Sequence, residues 1–113
     1  MISAVIITYN EERIIARSID SLKSIVDEVI IVDSFSTDRT IEICKEKGAV
    51  VFQNKFEGYK TQKHFAATKA KHEWILSIDA DEVLSNELIN SLLKWRKNQK
   101  YSNDLSSQSL QPA

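Results

Sequence analysis

The sequence predicts an α/β fold: an open, mainly parallel sheet with helices on both faces. Three observations predict it. Four short runs rich in β-branched residues are apolar on consecutive positions, stretches with helical spacing separate them, and only two glycines and one proline interrupt 113 residues. Consecutive apolar positions suit strands buried on both faces, as parallel strands are. Strand and helix in strict alternation imply right-handed βαβ crossovers that cover both sides of the sheet.

The first strand is expected at Ala4–Thr8 (AVIIT). Asn10-Glu11-Glu12 then offers an N-cap and two acids for the positive end of a helix dipole, and Ile15, Ile19 and Leu22 follow at i, i+4, i+7. A second strand, Glu28–Asp33 (EVIIVD), leads through Ser36-Thr37-Asp38 into a helix carrying Ile41 and Cys44 and closing at Gly48. The third strand is Ala49–Gln53 (AVVFQ), followed by a helix around Thr61–Ala70. The fourth is Trp74–Asp79 (WILSID), and a last helix runs from about Asn86 to Lys97, capped by Ser85, with Leu88, Leu92 and Trp95 on one face. Trp74 and Trp95 read as core or interface anchors. Residues 1–100 therefore form one folded unit, while 101–113 (YSNDLSSQSLQPA) are polar and aperiodic and read as a disordered tail.

Hydrophobic residues at 42%, charged residues at 27% and a net charge of −1 describe an ordinary folded domain. Lysines and arginines are scattered among acids, so nothing argues for nucleic acid. Apolar runs stay far below the ~20 residues a membrane span needs, and the N-terminus has no basic segment followed by an apolar one. A cytoplasmic location is expected. The single Cys44 reads as a buried structural thiol.

In open α/β sheets, ligands bind beyond the carboxyl ends of the strands. After the first strand come Thr8, Tyr9, Asn10 and Glu11; after the second, Asp33, Ser34, Ser36 and Asp38; after the fourth, Asp79, Asp81 and Glu82. Carboxylates converging on one edge repel one another unless a cation or ligand donors neutralise them. Asp79-Ala80-Asp81 alternates two acids along an extended segment, a hard oxygen site suited to Mg²⁺ or Mn²⁺. Asp38 reads first as a helix-terminus acid, Glu82 equally as a solvated acid or a metal neighbour, and His64 and His72 as surface residues. No GxGxxG or GxxxxGK[ST] is present, which removes the usual dinucleotide and P-loop readings.

Taken together, VIITYNEE, VIIVDSFSTDRT and GYKTQKHFAATKAKHEWILSIDADE, in this order across residues 2–96, resemble the N-terminal region of family 2 glycosyltransferases, especially the branch that builds lipopolysaccharide core. The resemblance implies a Rossmann-like N-terminal half of the A-type glycosyltransferase fold. It implies that Thr8, Tyr9 and Glu11 line a nucleotide base pocket, that Asp33 accepts a hydrogen bond from the base, and that Asp79 approaches the ribose and base. Asp81 would ligate the Mn²⁺ or Mg²⁺ that bridges the donor diphosphate, with Gln62 and Lys63 beside the nucleotide. The implied reaction is inverting transfer from a nucleoside-diphosphate sugar, most commonly a UDP-sugar, to a glycan or lipid-linked acceptor, with peripheral contact at the inner face of the cell membrane.

Phe35 and Arg39 stand where many family members have glycine. Family members are also much longer, and the later half that supplies the acceptor site and a carboxylate general base has no counterpart here. The chain is accordingly expected to be truncated, to self-associate through an exposed sheet edge, and to lack efficient transfer on its own. The alternative is a nucleotide-binding module or inactive remnant without turnover.

Overall fold

The computed structural model describes residues 1–97 and 110–112. Its elements run β1 (Ile2–Thr8), α1 (Ile15–Leu22), β2 (Glu28–Asp33), α2 (Thr40–Glu46), β3 (Val50–Gln53), α3 (Tyr59–Lys69), β4 (Trp74–Asp79), α4 (Asn86–Lys97) and β5 (Leu110–Pro112). The sheet order is β3-β2-β1-β4-β5. Strands β1 to β4 pair in parallel, with Thr8 opposite Asp33 and Ile7 opposite Asp79, so three carboxyl ends finish level.

The predicted doubly wound α/β fold is the observed one. Alternate residues of β1 feed two cores. Ile2, Ala4 and Ile6 join Ile31, Leu76 and Ile78 under α1, α2 and α4, whereas Val5 joins Ile30 and Val32 under Ala66 of α3. Helices change face where the strand order reverses, as a constant crossover hand requires. Ile15, Ile19 and Leu22 of α1 are wholly buried, each contributing on the order of 2 kcal/mol of burial.

The helix ends are partly as expected. Gly48 closes α2 at φ 83°, with its N–H on the Lys45 carbonyl, and Ser85 caps α4 by accepting the Leu88 N–H at 3.1 Å. Asn10 does not cap α1. It sits at φ 52°, and α1 begins only at Ile15, after the Ile14 and Ile15 amides have turned onto the Glu11 carbonyl. Cys44 is buried, and desolvation pushes its thiol up to about 12, which fits the structural role expected of it. Trp74 and Trp95 meet edge to face at 4.7 Å within the larger core.

Residues 98–109 and 113, which include all of the predicted tail but 110–112, lie outside the described residues. Leu110–Pro112 differ from the expectation: they pair antiparallel with Trp74–Leu76 and cover part of the outer edge of β4.

Candidate functional site

At the carboxyl end of the sheet, the loop after β1 and the loop after β2 are laced together. The Asn10 N–H donates to Ser36 Oγ at 2.8 Å, the Thr37 N–H donates back to Asn10 Oδ1 at 2.8 Å, and the Glu11 N–H donates to Thr40 Oγ1 at 2.8 Å. Asp38 accepts from the N–H and hydroxyl of Thr40 and from the Glu12 N–H, so it serves the start of α2. Burial works to raise the Asp38 carboxyl, but these hydrogen bonds outweigh it and hold the group below its usual range.

Beneath the lacing lies Asp33. It is wholly buried and accepts from Thr8 Oγ1 at 2.7 Å, from the Ser36 N–H at 2.7 Å and from the Ser36 hydroxyl. The tight turn this creates puts Phe35 at φ 58°, a left-handed conformation that glycine adopts freely and phenylalanine does not.

A cavity of about 470 Å³ opens above these loops, lined by Ile7, Thr8, Tyr9, Glu11, Ser34, Phe56 and Tyr59. That size suits a small ligand. Of the residues singled out by sequence, Thr8, Tyr9, Glu11 and Ser34 line it. Asp33 lies under its floor, held by protein donors.

Gln62 is wholly buried too, and it does not itself line the cavity. Its Nε2 donates to Ser34 Oγ and to the Asn54 carbonyl, both at 3.1 Å, and its Oε1 accepts from Asn54 Nδ2 at 2.9 Å. It therefore supports the cavity wall through Ser34.

Asp79, Asp81 and Lys63 do not line the cavity; they form an exposed rim. Lys63 Nζ lies 3.9 Å from Asp79 Oδ1, and the Asp79 N–H donates to Glu82 Oε1 at 2.9 Å. Glu11 connects rim to cavity. Desolvation raises its carboxyl, and the charges of Asp81 and then Asp38 raise it further. No group of three acidic, His or Cys side chains is poised around one point among the described residues. His64 is exposed and His72 half-buried.

Sequence reasoning missed Phe56 and Tyr59 as lining residues. The rule that pointed to the other strands applies equally to the third, whose carboxyl end is followed by Asn54, Lys55 and Phe56. Phe56 and Tyr59 stack edge to face at 5.1 Å, both exposed, around Gly58 at φ 118°.

Residues 3–106 match the family model for glycosyl transferase family 2. The chain belongs to this family. It is 56% identical over 87 residues to an uncharacterized glycosyltransferase of Rickettsia felis, an alignment covering 77% of this chain and 31% of that protein. Among solved structures, glucosyl-3-phosphoglycerate synthase from Mycobacterium tuberculosis, in complex with Mn²⁺, UDP and glucosyl-3-phosphoglycerate, superposes with a TM-score of 0.71 at 25% identity. It covers 90% of this chain and 40% of that one. The structure of S. aureus TarS 1-349 in complex with UDP-GlcNAc gives a TM-score of 0.69 at 24% identity, covering 88% of this chain and 32% of that one, and shows the shared fold. The chain thus spans about a third of the length of the curated relatives it matches.

Family 2 membership makes the chain a glycosyltransferase by family. No helix among the described residues is long and apolar enough to cross a membrane.

Proposed function

We propose that the chain is the donor-binding region of a metal-dependent, inverting glycosyltransferase that uses a UDP-sugar. One observation carries the proposal: a cavity sized for a nucleoside at the carboxyl ends of β1 and β2, with an acidic rim after β4 coupled to it through Glu11. Thr8, Tyr9 and Glu11 would hold the base and ribose. Asp33 would act from below by fixing Thr8 and Ser36, with base recognition passing through that hydroxyl pair, and Gln62 would hold Ser34 in place. Asp79 would face the ribose.

The rim fits a cation that arrives with its diphosphate. Mg²⁺ and Mn²⁺ take hard oxygens and are commonly held by one or two carboxylates, with substrate phosphates and water completing the shell, so a preformed cage of three protein ligands is not required. Asp81 would be the protein ligand, with Glu82 beside it. Bound there, a divalent ion supplies charge stabilisation to the departing nucleoside diphosphate. Lys63 would add a second positive charge at the phosphates, released from Asp79 as the ion takes its place.

The branch that builds lipopolysaccharide core is the proposed setting, with a glycan or lipid-linked acceptor, a cytoplasmic location and peripheral contact at the inner membrane face. Its support is the resemblance of the three ordered motifs. Self-association through the β3 edge, where Val50 is exposed, is proposed alongside it.

Calorimetric titration of UDP tests the donor site. Binding is expected with Mn²⁺ and to be lost in EDTA, and Asp81→Ala should remove the metal-dependent part while leaving the circular dichroism intact. Equal binding in EDTA would overturn the metal role. Donor hydrolysis measured in the same samples separates an active glycosyltransferase region from a binding module without turnover.

A further inference from the structure

Helix α1 carries serines at positions 18 and 21, and nothing local explains them. Serine is a weaker helix former than alanine, and position 18 is wholly buried in an apolar setting, where an unpaired hydroxyl would be costly. Both side chains are instead committed to the segment after β4. Ser18 Oγ donates to the Ala80 carbonyl at 2.8 Å, in a buried contact. Ser21 Oγ donates to the Ser18 carbonyl at 2.7 Å and accepts the Leu84 N–H at 3.2 Å.

These contacts fall at the two ends of the acidic turn. The Ala80 carbonyl belongs to the peptide plane that joins Ala80 to Asp81, so fixing that oxygen fixes the direction in which Asp81 leaves the backbone. Ala80 and Leu84 are themselves buried in the larger core, at 8% and 7% exposure, while Asp81, Glu82 and Val83 between them are exposed. One helix therefore clamps both ends of a turn whose middle is free. The same helix follows directly from the loop bearing Glu11, whose carbonyl receives the first turn's amides.

We propose that Ser18 and Ser21 are positioning residues that hold Asp81 in register with Glu11, so that the rim can share a cation with a bound diphosphate. The cation and diphosphate rest on the donor-site reading; the clamping of the turn does not. Neither serine touches a ligand. Each acts through backbone; among the described residues, the hydrogen bonds within the turn itself are the Glu82 N–H to the Asp79 carbonyl, at 2.9 Å, and the Asp79 N–H to the Glu82 side chain.

The test compares Ser18→Ala, Ser21→Ala and Ser21→Thr with Ser3→Ala in the full chain. Ser3 is a matched control: it is wholly buried, donates to Glu28 Oε2 at 2.6 Å and accepts the His72 N–H at 3.2 Å, at the opposite end of the sheet. Hydrogen exchange at the Glu82 and Leu84 amides is the first readout. Ser18→Ala and Ser21→Ala should speed it by about five- to tenfold, the equivalent of one net hydrogen bond. Ser21→Thr should restore it, and Ser3→Ala should leave it unmoved even where global stability falls.

Titration of Mn²⁺ with UDP is the second readout. It should weaken by a similar factor for the two alanine variants and return for Ser21→Thr. Unchanged exchange at Glu82 and Leu84 in Ser18→Ala overturns the clamp, as does a matching acceleration in Ser3→Ala. Faster exchange with Mn²⁺ and UDP binding equal to the unmodified chain overturns the positioning role. Absence of Mn²⁺ and UDP binding in the unmodified chain overturns the donor-site reading itself, and the exchange comparison still decides the clamp.

Discussion

Asp33 and Asp79 both close an apolar parallel strand at the same level of one sheet, yet the fold uses them in opposite ways. Asp33 is wholly buried and takes hydrogen bonds from Thr8 and from both the N–H and hydroxyl of Ser36. Asp79, with 64% of its side chain exposed, has only a loose ion pair with Lys63. The difference lies in the neighbours. At the end of β2, Thr8 from the end of β1 and Ser36 from the loop after β2 supply hydroxyls, whereas the turn after β4 stays open. An acid at the end of a strand is thus scaffold where the loops close over it and available to a ligand where they do not.

Stability measurements should separate the two most widely. Asp33→Ala strips three donors of their buried acceptor, and a loss of about 3 kcal/mol is expected in urea unfolding. Asp79→Ala and Asp81→Ala should stay within about 0.5 kcal/mol of the unmodified chain, as exposed substitutions do. Comparable losses at Asp33 and Asp81 would erase the distinction.

The opposite end of the sheet sharpens it, because the stabilising charges there do not line the cavity. Arg96 donates to Asp27 Oδ1 at 2.6 Å and to the Ile25 carbonyl at 2.7 Å, while the Ile2 N–H donates to Asp27 Oδ2 at 2.7 Å. Desolvation works to raise the Asp27 carboxyl, but the hydrogen bonds from Arg96 and Ile2 outweigh it and lower the group from its ordinary value. A lowered folded value means this stabilisation is complete above the unfolded carboxylate range, ~4, and is lost as pH falls through the folded value. Arg96→Ala should cost about 1–2 kcal/mol at neutral pH, with a smaller difference at pH 2–3, and should leave UDP affinity unchanged.

Much of the fold was legible in residue patterns. The four parallel strands, four helices, Gly48 terminus and Ser85 cap follow from local spacing and local chemistry. The site was legible only as far as chain position carries it: Thr8, Tyr9, Glu11 and Ser34 reach the cavity because they end or closely follow β1 and β2. Burial of Asp33 and Gln62, the Asn10–Ser36–Thr37 lacing and the serines of α1 depend on partners 8 to 63 residues away, which no local pattern reveals.

Phe35 is an intermediate case. Its sequence departure from glycine is visible, but the left-handed φ of 58° that gives the departure meaning is not. Because the ring is 55% exposed and packs little, Phe35→Gly should raise stability by about 0.5–1 kcal/mol by relieving that strain, partly offset by the greater freedom of glycine in the unfolded chain. A loss of stability in thermal unfolding would show that the ring's contacts outweigh the strain.

The smallest stability effect is expected at Lys63, where the contrast between scaffold and available charge can be tested from the cationic side. Its ammonium lies 3.9 Å from Asp79, and both side chains are about half or more exposed, so solvent screens the pair and its removal should change stability by at most about 0.5 kcal/mol. If Lys63 is held there for phosphate, Lys63→Ala should weaken UDP binding several-fold, leave uridine binding unchanged, and flatten the salt dependence of UDP affinity. Titrations of UDP and uridine at two ionic strengths measure all three. Equal weakening of UDP and uridine would make Lys63 part of the cavity's structure, and no weakening of either would leave the lysine as a surface partner of Asp79 alone.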